Sequence, residues 1–145
     1  MQIDVQVRDK RFYLKNLRIK SFCQGVIAAA WLGRADAEIS VVLADNNFVH
    51  VLNKQYRGQD KPTNVLSFEN EGIQAGDIVV AYGVLSREAK EMHKPFLTHL
   101  AHLLVHGTLH LQGYDHITDK QAQKMEKLEI KLLQDMGYPN PYSEV

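Results

Sequence analysis

The chain is poor in several things, and each shortage narrows what it can be. It has one cysteine, Cys23, so no disulfide can form within it. That usage fits a cytoplasmic location. No stretch reaches the roughly 18 uninterrupted apolar residues of a membrane span, so no membrane partner is expected. The opening, MQIDVQVRDKRF, reads as a strand and lacks the apolar core of a signal peptide. Net charge is zero, which removes any bulk electrostatic argument for nucleic acid. Internal repeats, low-complexity tracts and long linkers are missing too. The length of 145 residues suits one domain with one core, and residues 1–145 are read as that.

What charge there is lies unevenly. Residues 1–68 carry ten Lys/Arg against six Asp/Glu, a net of +4, and residues 69–145 carry seven against eleven, a net of −4. Arg8, Lys10, Arg11, Lys15, Arg18 and Lys20 face only Asp9. The asymmetry fits a face for a polyanion, or a solvated basic surface on an amphipathic helix.

Patterning yields three or four strands and five helices. Ile3 to Val7 alternates as a half-buried strand does. Residues 17 to 32 have helical apolar spacing and stop at Gly33, with Cys23 on the apolar face as a small buried hydrophobe rather than a nucleophile. Glu38 to Ala44 is a β-branched strand. Asp45 caps a short helix that closes near Gly58. Strands follow at Thr63 to Phe68 and Gly76 to Ala81, then a helix over 83 to 92. Pro95 opens a helix from about 96 to 112, stopped by Gly113. Thr118 begins a capping box for a last helix through Met136. The expected class is α+β, a small sheet of about four strands packed with about five helices.

The densest chemistry is HGTLHLQGYDH, residues 106 to 116. On a helix, His106 and His110 project from one face a turn apart. Gly113 permits a sharp turn that can return His116 as a third ligand. Three nitrogens leave a position open for water or substrate, as in a catalytic zinc site, so one Zn2+ per chain is expected. Imidazole also suits copper, iron or nickel. His99 and His102 share broadly the same face, as neighbours of the site or as ordinary packed histidines.

The same spacing occurs in the zinc-protease pattern H-E-x-x-H-x-x-G-x-x-H, but Gly107 stands where that pattern has its general-base glutamate. Peptide hydrolysis is therefore disfavoured. A metal can still polarise an oxygen or bring the pKa of bound water towards ~7, which serves phosphodiester cleavage equally.

A second cluster is YRGQDKPTNVLSF, residues 56 to 68. Arg57 and Lys61 are cations in a connecting loop, and Asn64 and Ser67 can donate hydrogen bonds. Arginine grips phosphate bidentately and can stabilise charge that builds in a transition state. A surface turn with solvated charges fits as well. Tyr56 and Phe68 are candidates for base stacking, or core residues. Asp115, beside His116, either orients a ligand imidazole or caps the turn.

Taken together, YRGQDKPTNVLSF, GDIVVA and HGTLHLQGYDH, with MEKLE after the histidines, resemble the YbeY family of bacterial endoribonucleases from about Val41 through Tyr142. The resemblance implies a single-domain metal-dependent hydrolase of single-stranded RNA. It implies zinc on His106, His110 and His116, and an important arginine at Arg57. It implies a small, mostly parallel mixed sheet with the metal at one end of a cleft. It also implies a bacterial cytoplasmic role in maturing the 3′ end of the 16S rRNA precursor and in ribosome quality control. Ribosomal particles or their proteins are then the partners, and DNA is not expected. The catalytic assignments are Arg57 and His106; the substrate contacts are Arg57, Lys61, Asn64 and Ser67. The competing readings are a zinc-dependent peptidase and a non-catalytic zinc-containing RNA-binding assembly factor.

Overall fold

The computed structural model describes residues 1–70 and 72–143. Along the chain run β1 (Gln2–Val7), α1 (Phe12–Lys15), α2 (Ile19–Ala30), β2 (Glu38–Ala44), α3 (Asn46–Arg57), β3 (Val65–Glu69), β4 (Gln74–Ala81), α4 (Tyr82–Glu91), α5 (Phe96–Leu111) and α6 (Asp119–Asp135). The sheet order is β1-β2-β4-β3. β1, β2 and β4 are parallel, and β3 runs antiparallel along β4 at the edge. The α+β class and the mostly parallel mixed sheet are as expected. The sixth helix is α1, a single turn too short to carry a periodic apolar signal.

Local chemistry explains the boundaries. Asp45 caps α3 by accepting from the Phe48 amide at 2.8 Å, and Gly58 closes it in the left-handed region at φ 68°. Thr118 and Gln121 form the reciprocal capping box that opens α6. Helix α2 is shorter at both ends than 17 to 32. Before it, the Asn16 side chain accepts from the Arg18 amide at 2.8 Å and holds a turn; after it, Trp31 is already extended.

The sheet is buried on both faces, which is why β2 and β4 read as apolar runs. Val41, Leu43, Ile78 and Val80 pack with α2 and α5. Ala44, Val79 and Ala81 pack with Val49 and Val84 on the opposite face. Cys23 is fully buried in the first of these cores, and burial pushes its thiol up to about 12.

Helix α5 is the hub. From His99 to Leu111 every residue is buried except His102, His106 and His110. Those three recur at intervals of four and leave one polar stripe on an otherwise enclosed helix. Gly107 lies on the sheet side, where a Cβ would stand 3.0 Å from Ser67 Oγ and 3.4 Å from Ile78 Cγ2. The absent side chain lets the helix seat closely on β3 and β4. A glutamate here, as in the protease pattern, would enter this seam.

Two measurements test the packing. Gly107→Glu forces a charged side chain into the seam and should destabilise the fold by about 3 kcal/mol, lowering the thermal midpoint by on the order of 10 °C. An unchanged melting curve would show that the seam has room. Cys23 should react with a thiol reagent at pH 8 only as fast as the protein opens, and at once in denaturant; rapid labelling of the native protein would contradict its enclosure.

Candidate metal centre and cleft

His106 and His110 sit one turn apart on α5 with their Nε2 atoms 3.1 Å from each other. The chain leaves the helix through Gly113, at φ 91°, and returns His116 to them. Asp115 Oδ1 accepts from the His116 amide at 2.7 Å and holds that turn. One ligand nitrogen from each of the three rings lies within 4.8 Å of the others. Tetrahedral coordination at a zinc–nitrogen distance of ~2.05 Å separates ligand atoms by about 3.3 Å. The trio therefore fits a metal ion after small ring movements. Burial, then repulsion from His106 and His116, lowers the pKa of His110, which favours the neutral form that ligates.

Among the described residues, no hydrogen bond joins the Asp115 carboxylate to a histidine ring. The carboxylate bonded to one of the three rings is Glu129, on the inner face of α6. Its side chain is 1% exposed, with Oε1 2.6 Å from His102 Nε2 and Oε2 3.4 Å from His106 Nδ1. Tyr142, near the C-terminus, donates its hydroxyl to Glu129 Oε1 at 3.0 Å. Burial raises the Glu129 pKa, but the hydrogen bonds from His102 and His106 more than reverse this and bring it to about 2. Glu129 is thus an anion with every partner supplied. A bond from His106 Nδ1–H to Glu129 points Nε2 at the metal position, the usual carboxylate–histidine–metal relay. Sequence reading quoted Glu129 only as the last residue of MEKLE and gave it no role. The available signal was a glutamate among Met125, Leu132 and Leu133 on the face that α6 buries.

The three histidines, His102 and Tyr142 border an open cleft of about 1090 Å³; Glu129 is not among its lining residues. Arg57, Asn64 and Ser67 line it together with His106, His110 and His116; Lys61 does not. In the sheet, Asn64 O and Asn70 N bond to β4. Antiparallel alternation then points the Ser67 carbonyl off the open edge. Arg57 Nη2 donates to that carbonyl at 2.6 Å, and the guanidinium carbon lies 5.2 Å from the Phe68 ring centroid. This fixes one edge of the guanidinium at the cleft. Phe68 is half-buried against the second core, and Tyr56 is exposed and edge-on to it. Asn64 is committed within the protein: its Nδ2 donates to Glu88 Oε1 at 3.0 Å and its Oδ1 accepts from the Val65 amide. Lys61 is exposed on the loop before β3.

None of the six cations between Arg8 and Lys20 lines the cleft. Arg11 is paired with Asp9 at 2.6 Å. Arg8, Arg11 and Lys15 lie over the rings of Phe48, Tyr82 and Phe96. Half of that basic run therefore packs on aromatic surface.

The histidine motif and the arginine loop meet at one cleft, and residues 4–137 match the family described as endoribonuclease YbeY. The chain belongs to the YbeY family. It is 46% identical to endoribonuclease YbeY of Sinorhizobium medicae, over 88% of this chain and 86% of that protein. It is 47% identical to the Magnetococcus marinus endoribonuclease YbeY, over 87% of this chain and 96% of the relative. The solution structure of TM1509 from Thermotoga maritima shares the fold, with a TM-score of 0.57 at 23% identity across 98% of this chain and 99% of the other. Among the described residues, no helix is long and apolar enough to cross a membrane.

If Glu129 orients a YbeY metal ligand, Glu129→Ala should weaken metal binding by roughly 10- to 100-fold. A competition titration against a chromophoric chelator measures this, with circular dichroism confirming the fold. Tyr142→Phe, which removes one of the bonds to Glu129, should cost less than Glu129→Ala. Unchanged affinity in the Glu129 variant would remove this carboxylate from the site.

Proposed function

We propose that this chain is a zinc-dependent endoribonuclease of the bacterial cytoplasm that cuts single-stranded RNA. Its substrate is the 16S rRNA precursor at the 3′ end, met in the context of ribosomal particles. The observation that carries the reading is three imidazole nitrogens converging in the same cleft that presents Arg57, in a chain of the YbeY family.

His106, His110 and His116 hold the ion. Three protein ligands leave coordination free for water or substrate, and a bound zinc supplies Lewis acidity towards a phosphate oxygen or a water nucleophile. Arg57 uses one donor on Ser67 O and keeps the others for the scissile phosphate. Anchored at the edge of β3, it meets accumulating negative charge without having to reorganise. Ser67 stands beside Arg57 in the cleft wall. Lys61, outside the cleft, suits flanking phosphates. Asn64 acts through Glu88, to which it is already bonded. Glu129 holds His106 in its ligating orientation.

Cleavage of a labelled single-stranded RNA tests this. Chelation should abolish cutting and zinc should restore it. Arg57→Ala should lower kcat/KM by about 10² to 10³ while zinc is retained. Products ending in 2′,3′-cyclic phosphate would identify the 2′-hydroxyl as nucleophile, and other termini would identify water. Folded, zinc-loaded protein that leaves RNA intact but turns over a peptide library would overturn the proposal.

A further inference from the structure

The cleft holds a second set of prearranged groups, on α4, α5 and the start of β3. Glu88 lines the cleft with its side chain 30% exposed. Its Oε1 receives two bonds, from His99 Nε2 at 2.9 Å and from Asn64 Nδ2 at 3.0 Å. Both donors are fixed. The Asn64 amide is oriented by the Val65 amide, which occupies its Oδ1 at 2.7 Å. The His99 side chain is 5% exposed. Burial lowers its pKa and outweighs the opposing pull of Glu88, which favours the neutral ring. Its Nδ1 has no partner among the described residues. The single ring proton therefore sits on Nε2 and is donated to Glu88. Among the described residues, Oε2 has no hydrogen-bond partner. The result is an oriented carboxylate acceptor that faces the cleft and is still open.

A carboxylate in a cleft that must admit RNA has no use for phosphate, which it repels. It suits a donor. We propose, resting on the endoribonuclease reading, that Glu88, positioned by His99 and Asn64, is a base-reading subsite that accepts a hydrogen bond from an amino-bearing nucleobase and disfavours uracil. Cytosine N4, adenine N6 and the N1–H/N2 edge of guanine all offer donors, and carboxylate acceptance from the cytosine amino group is an established pairing. The pairing edge of uracil offers one N–H between two carbonyl oxygens, and those oxygens face the carboxylate unfavourably. With Oε1 saturated by the protein, the subsite reads one donor group and not a bidentate edge.

Fluorescence anisotropy with zinc-loaded protein tests this. The probes are short 2′-O-methyl oligocytidine and oligouridine of equal length, chosen to slow cleavage, at one fixed salt concentration. The wild type should bind oligocytidine roughly tenfold more tightly. Glu88→Gln, which adds a donor, should bring the ratio close to one without weakening oligouridine. Glu88→Ala should do the same, and circular dichroism checks that both variants fold. Equal affinities in the wild type overturn the subsite whatever the variants do, and leave the nuclease reading standing. A preference that survives in both folded variants also overturns it. If neither oligonucleotide binds, the subsite is overturned, and cleavage of the labelled RNA decides the nuclease reading separately.

Discussion

The site depends on how closely α5 is seated on the sheet. At Gly107 the helix backbone approaches Ser67 and Ile78 to a distance that a side chain would disturb. Around that contact the rest of the helix is buried on nearly every side, so its rotation about its own axis is set by packing. The stripe left over is His102, His106 and His110. A small rotation of α5 would carry these rings into the core and bring leucines to the cleft. The placement of His106 and His110 is thus a by-product of a core contact, set to the accuracy with which apolar side chains interlock.

Buried charge then refines what packing places. Glu129 is anionic inside the protein, a costly state unless its lone pairs are occupied. His102, His106 and Tyr142 occupy them, and in doing so they tie α5, α6 and the C-terminal segment to one carboxylate. Glu88 repeats the device with His99 and Asn64, tying α5, α4 and the entry to β3. In both cases a histidine of α5 donates to a carboxylate on a neighbouring helix. One carboxylate bonds a ring of the histidine trio; the other lines the cleft itself.

The edge strand β3 links the two halves of the cleft. Its inner face meets Gly107, its outward carbonyl at Ser67 holds Arg57, and Asn64 at its start holds Glu88. The antiparallel strand at the end of a parallel sheet leaves main-chain groups unpaired on one side. Here one of them anchors a cation in the cleft that the histidines also line.

Much of this was legible in the residues. Asp45, Gly58, Thr118 and Gln121 marked helix ends because capping is a local contest between side chains and backbone. His106, His110 and His116 could be grouped because ten residues, one helical turn and one glycine bring them together without help from elsewhere. The sequence by itself therefore determined most of the elements, the grouping of three histidines that could hold a metal, and the family resemblance. Tertiary structure decided the rest. Glu129 is twenty-three residues from His106, and Glu88 is twenty-four from Asn64. No spacing rule joins such pairs, since their meeting depends on which faces of α4, α5 and α6 are buried together. Asp115 is the carboxylate next in sequence to His116, and it caps a turn; the distant Glu129 is the one bonded to the His106 ring. Adjacency along the chain is set by covalent bonds, but adjacency at the site is set by the packing of helices, and the chemistry follows the second.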